Sequence, residues 1–313
     1  MEIIYYNSKT KIQSECTATI GVFDGVHEGH QHVITHMKFM ADFYKQKSMV
    51  ITFDRQPREL FDPEFRPQLI TTFDEKKQQI ELLQVDYLVI IPFTMEIAKL
   101  TAYEFMDQVL RQALNVKRLV IGYDNRFGCG RKESFEDYEN YGRELGIKLT
   151  QGISISFDNF KEPVSSSMIR RLIAEEGDVS KAGVLLGREY KLQGTVRPGE
   201  HIGTTLGFPT ANLEPTDNSK LIPAPGVYAV WAILGNGLIK PAMMNIGTRP
   251  TFGGQKQTLE VNIFDYDGNL YDKEIIVLFV DRLRRERRFD SPEALIAQLE
   301  EDKKQVEQIL NRK

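Results

Sequence analysis

Two histidines three residues apart, His27 and His30, close the segment Gly21-Val22-Phe23-Asp24-Gly25-Val26-His27-Glu28-Gly29-His30, which lies where a short β-rich run gives way to a helical pattern. In open α/β sheets, ligands bind beyond the carboxyl ends of strands. There the free N–H groups and dipole of the next helix favour an anion. Gly25 and Gly29 allow close backbone approach, and both imidazoles can reach phosphate oxygens. No Gly-Lys-Ser/Thr follows, so this is not a Walker A loop. Far downstream, Gly194 and Gly199–Gly207 form a glycine- and hydroxyl-rich approach to Gly207-Phe208-Pro209-Thr210-Ala211-Asn212. Such a loop can wrap phosphates through backbone N–H groups. Thr210 and Asn212 offer neutral oxygen ligands suited to Mg²⁺. Glu260 and Asn262 alternate with aliphatic residues in Leu259-Glu260-Val261-Asn262-Ile263-Phe264. Read alone, Glu260 belongs to a solvated strand face.

These residues need two different scaffolds. In the first half, Thr17–Val22, Met49–Phe53, Tyr87–Ile91 and Leu119–Ile121 read as buried strands. Between them lie helix-period segments: Val33, Met37, Met40 and Tyr44 share one face, and Phe105, Val109 and Leu114 mark another helix. Strands separated by helices imply a parallel sheet in an α/β domain. A short helix from about Val179 to Leu186 stops at Gly187. The character then changes to strands Lys191–Arg197, Gly226–Leu234, Lys240–Ile246, Leu259–Phe264 and Glu274–Val280, with hairpin signals at Gly235-Asn236-Gly237 and Asp267-Gly268. This pattern predicts an antiparallel β-barrel. A last helix opens with Ser291 as N-cap and Pro292 at its first position, with Leu295, Leu299, Val306 and Leu310 as its buried stripe. The expected division is residues 1–186 and 187–313.

Composition excludes several function classes. Across 313 residues, hydrophobic residues make 41% and charged residues 27%, the proportions of a globular chain with a sizeable core. Forty Lys+Arg against 44 Asp+Glu leave a net charge of −4, which argues against a dedicated nucleic-acid binder. No apolar stretch approaches the roughly 20 residues that cross a bilayer. The polar N-terminus is not a signal peptide. Two cysteines, Cys16 and Cys129, are too few for a disulfide framework or thiolate zinc site. The expectation is a cytoplasmic two-domain protein without nucleic-acid or membrane partners, monomeric or weakly homo-oligomeric. Arg282–Arg288 reads as a turn closing a site or as a solvated face, Cys129 as a bystander, and Trp231 as core packing.

The histidine segment resembles the nucleotidylyltransferase superfamily, whose His-x-Gly-His motif binds a nucleotide triphosphate. The resemblance calls for a second element, a hydroxyl-rich helix start with a basic residue, and Ser165-Ser166-Ser167-Met168-Ile169-Arg170 supplies one. Alone, these serines are an ordinary N-cap; beside the histidine motif they read as part of the same site. When a phosphate oxygen attacks the α-phosphorus of ATP, preorganised donors and cations stabilise the developing charge, so neither a protein nucleophile nor a general base is required. His27, His30 and Arg170 would act electrostatically, with Mg²⁺ bridging phosphates.

The order GVFDGVHEGH, IGYDNRFG, VSSSMIRRLI, TLGFPTANL, PGVYAV, NIGTRPTFGG, LEVNIFDYDGNLY and RFDSPEALIAQL is similar to bacterial bifunctional riboflavin kinase/FAD synthetases, in register from about residue 15 to 305. The resemblance implies a Rossmann-like adenylyltransferase domain joining FMN and ATP into FAD, followed by a barrel phosphorylating riboflavin to FMN. It implies ATP contacts at Gly21, Phe23, Asp24, Gly25, His27, Gly29, His30, Ser166, Ser167 and Arg170. FMN contacts are implied at Phe53, Asp54, Pro57, Asp124 and Asn125. In the kinase half it implies nucleotide contacts at Gly203, Thr205, Gly207, Pro209, Thr210 and Asn212, Mg²⁺ on Thr210 and Asn212, and a catalytic base at Glu260. A base is needed there because the riboflavin hydroxyl is neutral. Three positions depart from the family pattern: Gln56 for a histidine, Thr204 for an arginine and Asp272 for a glycine. The alternatives are an adenylyltransferase with a weakened kinase, and another His-x-Gly-His transferase with a flavin-binding regulatory barrel.

Overall fold

The computed structural model describes residues 1–123, 125–153, 155, 162–199, 207–251 and 254–311. The chain divides into two units, Met1–Ser166 and Ser167–Lys313.

The first unit is built on a six-stranded parallel sheet. Its strands are β1 (Glu2–Tyr5), β2 (Cys16–Ile20), β3 (Lys47–Phe53), β4 (Tyr87–Ile91), β5 (Val116–Ile121) and β6 (Lys148–Gln151), in the spatial order β1-β4-β3-β2-β5-β6. Every residue of β2 is buried, as is the run Ser48–Thr52 of β3, which is why both read as short continuous apolar segments. The connecting helices are α1 (Glu28–Phe43), α2 (Pro57–Phe61), α3 (Phe73–Leu82), α4 (Met95–Lys99), α5 (Ala102–Glu104, continued by π-helical turns over Phe105–Ala113) and α6 (Phe135–Leu145). Strand order reverses beside β2: the chain moves outward through β3 and β4, then returns to place β5 on β2's other edge. That reversal opens the crevice where doubly wound folds bind ligands.

Some elements differ from expectation. The edge strands β1 and β6, four residues each, carry too little periodicity to be seen in sequence. The buried face of α1 consists of Val33, Ile34, Met37 and Ala41, whereas Tyr44 is 41% exposed. Ile34 and Ala41 share the face that covers the sheet, so the true stripe is rotated away from Met40 and Tyr44.

The second unit holds α7 (Ser166–Arg171, its first residue in unit one), α8 (Val179–Leu186) and a closed barrel, and ends in α9 (Pro292–Leu310). The barrel strands are β7 (Tyr190–Arg197), β8 (Ala211–Pro215), β9 (Gly226–Leu234), β10 (Ile239–Thr251), β11 (Gly254–Ile263) and β12 (Glu274–Arg284), in the order β10-β11-β8-β7-β12-β9, all antiparallel. The Gly235-Asn236-Gly237 signal is a true hairpin turn between β9 and β10, with Gly237 at φ +81°. Asp267-Gly268 is not: β11 and β12 are not neighbours, so this turn belongs to a crossover. The strand β8 went unrecognised because its five residues, ANLEP, show no apolar alternation.

Gly194 also differs from its expected role. It lies inside β7, where a Cβ would meet Leu213 Cγ at 2.7 Å, so packing against β8 by itself requires glycine there. Ser291 caps α9, its hydroxyl accepting from the Ala294 N–H at 3.2 Å. Val306 and Leu310 are buried and Leu295 and Leu299 half-buried. The same helix buries Asp302, paired to Arg284 at 2.7 Å. Arg282 donates to the carbonyls of Glu176 and Pro225. The start of the arginine run is therefore spent inside the unit, because β12 extends to Arg284. No helix among the described residues is long and apolar enough to cross a membrane.

Candidate active sites

The segment leaving β2 makes a tight, strained loop. Phe23, Gly25 and Val26 have φ values of +52°, +87° and +39°, and left-handed backbone is costly for a β-branched residue. Packing enforces it: Phe23 and Val26 are buried in the core beside Val33, Ile34 and Met37. The Asp24 carboxylate, 4% exposed, accepts from the N–H groups of Ile70 and Thr71 at 3.2 and 3.1 Å. The Gly25 N–H donates to the Thr71 hydroxyl at 3.0 Å. Asp24 thus serves the loop's shape through its side chain, while its carbonyl accepts from the Ser166 hydroxyl at 2.9 Å. That bond brings the serine run to the histidine loop within the first unit.

His27 is the N-cap of α1, its Nδ1 accepting from the His30 N–H at 3.3 Å. A neutral His27 therefore carries its proton on Nε2. The two imidazoles stack with centroids 3.6 Å apart and planes 18° from parallel. Phe23 meets His30 edge-on at 5.2 Å. His30 Nδ1 is buried without a hydrogen-bond partner among the described residues. Burial, reinforced by His27 and then by Lys76, holds the His30 pKa well below its ordinary value of 6.5. Buried polar atoms are ordinarily hydrogen-bonded, so this ring nitrogen is an exception that marks the loop as a candidate site. Gly29 has a specific reason to be glycine: a Cβ there would press on the His27 ring at 3.2 Å.

Two further segments end at the same edge of the sheet. Phe53 closes β3 and packs edge-on against Phe93 at 5.3 Å. Asp54 follows, accepting from the Phe93 N–H at 2.9 Å. Gln56 caps α2, with Pro57 as its first residue. Beyond β5, the Asn125 side-chain amide donates to the Ile20 carbonyl, tying this turn to the end of β2. Phe127 is buried against Tyr138 and belongs to the core. Asp124, Gly203 and Thr205, like Thr204, lie outside the described residues. Ser167 and Arg170 lie on α7 in the second unit, Arg170 one turn in.

In the barrel, strand register does the positioning. Asn212 on β8 pairs directly with Glu260 on β11, and Glu260 pairs with Asn245 on β10. Directly opposed residues on neighbouring strands project to the same face, so a carboxylate stands between two amides. Thr210 immediately precedes β8, and the Asn262 amide donates to the Pro209 carbonyl at 2.7 Å, fastening the loop to β11. Gly207 at φ +80° needs glycine's freedom. A Cβ on Gly199 would collide with the Asn212 amide, so the glycine leaves room around that side chain. Arg197 pairs in register with Asn212 and bridges Glu214 at 2.8 Å and Asp272 at 2.7 Å. Asp272 sits at φ +58°, a left-handed turn position that aspartate tolerates, and its carboxylate faces Arg197 at the surface.

Comparison with known proteins finds one family match in each half of the chain. Residues 9–168 match the FAD synthetase family model and residues 186–310 the riboflavin kinase model. The bifunctional riboflavin kinase/FMN adenylyltransferase of Haemophilus influenzae is 35% identical, covering 95% of this chain and 94% of its own. Those of Escherichia coli K12, at 36%, and Bacillus subtilis 168, at 34%, align over 95% and 94% of this chain, and over 93% and 92% of their own lengths. The chain belongs to the bifunctional riboflavin kinase/FMN adenylyltransferase family. A crystal structure from Streptococcus pneumoniae titled as a macrolide-efflux protein has the same fold, with a TM-score of 0.88 and 31% identity, covering 97% of this chain and 98% of that one.

Within this family frame, one residue escaped the sequence reading: Lys76, buried on α3. Its only sequence signal is a lysine in the first turn after the Thr72 cap, which reads as surface. Neither cysteine joins a site: Cys129 is exposed, and burial pushes the Cys16 thiol up to about 12.

Proposed function

We infer that this chain makes FMN from riboflavin and ATP in its barrel, and FAD from FMN and a second ATP in its parallel-sheet unit. Two observations support the reading: the first unit brings His27, His30 and Ser166 together at the loop after β2, and the barrel aligns a carboxylate with an amide across neighbouring strands. The central one is the alignment of Asn212 with Glu260 across β8 and β11.

In the kinase reaction the riboflavin 5′-hydroxyl attacks the γ-phosphorus of ATP and ADP leaves. The hydroxyl is neutral, so its proton must go to a positioned base, and Glu260 is that base. In the adenylyl transfer an FMN phosphate oxygen attacks the α-phosphorus and pyrophosphate leaves. The attacking oxygen is already anionic, so this reaction needs no general base. His27 donates from Nε2 to the polyphosphate. His30, neutral beforehand, gains a proton readily once anionic oxygens approach. Ser166 adds a hydroxyl beside the histidine loop, while Phe53, Asp54, Pro57 and Asn125 frame the FMN side.

Among the described residues no cluster of three or more His, Cys, Asp or Glu could hold a metal by itself. Mg²⁺ is ordinarily held through substrate phosphates with few protein ligands. Thr210 and Asn212 would hold it in the kinase. Bound there, Mg²⁺ supplies charge neutralisation on the transferring phosphoryl group. The two activities divide as residues 1–186 and 187–313, and the chain works in the cytoplasm as a monomer or weak homo-oligomer.

Purified chain incubated with riboflavin, ATP and Mg²⁺ should accumulate FMN and then FAD, followed separately by chromatography. FAD from supplied FMN but no FMN from riboflavin would retain the adenylyltransferase and remove the kinase. Neither product would overturn the reading.

A further inference from the structure

A lysine in the first turn of a surface helix ordinarily extends into water. Lys76 does the opposite: it is 8% exposed, with its ammonium beneath the loop that follows β2. Nζ donates to the Val22 carbonyl at 3.2 Å, to the Thr52 hydroxyl at 3.2 Å and to the Phe53 carbonyl at 3.4 Å. The Thr52 hydroxyl in turn donates to the Val22 carbonyl at 3.2 Å. All three acceptors are neutral. Burying an ammonium among neutral oxygens is costly, and a hydrocarbon side chain at this place would have made an easier core. The acceptors define what the cation achieves. Val22 opens the loop that carries His27 and His30, and Phe53 opens the segment assigned to FMN.

We propose that Lys76 is a positioning residue for adenylyl transfer, clamping the ATP loop to the FMN segment and holding a buried positive charge beneath both. The proposal rests on the assignment of these two segments made above. An ammonium has three N–H donors and uses all of them here, whereas the free amine has two. Loss of the proton therefore releases one of the three clamps. The charged and titratable groups around it are Asp24 in the loop after β2, Asp54 after β3, and His30 on α1. Burial lowers the lysine's pKa to about 8 despite the two carboxylates, so release falls within a measurable range.

The test follows kcat/KM for MgATP in FAD formation from supplied FMN, from about pH 6.5 to 10, a parameter that reports groups of the free enzyme. Wild type should lose activity as pH rises through about 8. K76M should lower kcat/KM by about 100-fold at neutral pH, the scale of a small misplacement of bound reactants. K76R should recover part of that loss and stay level above pH 8, because a guanidinium does not deprotonate. A K76M enzyme within about two-fold of wild type overturns the proposal, and so does a wild-type profile flat across the whole range. Where amide exchange shows that K76M unfolds β2 and β3, the wild-type and K76R profiles decide: a limb lost in K76R supports the clamp, and a shared limb refutes it. An H30A variant run alongside separates the two levels. If H30A is inactive while K76M is normal, only Lys76 is misassigned; if H30A is fully active, the site itself is.

Discussion

The imidazoles of His27 and His30 lie face to face, 3.6 Å between centroids, at the first turn of α1. Two protonated rings could not sit so close at low cost, and after burial His27 is the next cause that keeps the His30 pKa below its ordinary value. Gly29 permits the contact, since any side chain there would press on His27. H27A and H30A should each lower FAD formation from FMN by about 10²–10³, the range for losing one preorganised donor. G29A should cost about ten-fold through a tilted ring. FMN formation from riboflavin, assayed in the same preparations, should be unchanged.

Glu260 should behave in the opposite way. E260Q keeps the shape of the side chain and the register with Asn212, but removes the base. Riboflavin phosphorylation should fall by about 10²–10⁴, chiefly in kcat, while FAD formation from supplied FMN persists. Loss of both activities in a folded E260Q enzyme would contradict independent sites.

His30 also couples the first unit's stability to pH. Its folded pKa lies below the ordinary 6.5, so the unfolded chain binds a proton that the folded chain refuses. Stability is therefore complete above about pH 6.5 and declines as pH falls below it, with a slope of at most about 1.4 kcal/mol per pH unit for one proton. Urea unfolding read by amide exchange in β2 should show this slope in wild type and not in H30F. Saturating MgATP should flatten it, because bound phosphates make the protonated ring welcome.

The ion pair of Asp302 and Arg284 is a structural prediction for the second unit. Asp302 is 1% exposed and receives three guanidinium hydrogen bonds. D302A leaves Arg284 without its counter-charge and should destabilise the barrel unit by about 3–5 kcal/mol in denaturant unfolding. The double replacement D302L/R284M should be close to wild type, since removing both charges removes the desolvation cost as well.

Local chemistry makes the division into a parallel-sheet half and a barrel half legible in the sequence. The alternation of buried runs and helical stripes announces a parallel sheet, the closely spaced strands announce a barrel, and His27, Ser166 and Thr210 stand at the ends of strands or helices, where local sequence signals are strongest. The pairing of Asn212 with Glu260, the burial of Lys76 and Asp302, the spending of Arg282 and Arg284 inside the unit, and the crossover at Asp267-Gly268 were decided only by folding. Register between distant strands and the withdrawal of a charge from water depend on what packs alongside. No neighbour in sequence carries that information, so a buried lysine and a surface lysine are written with the same letter.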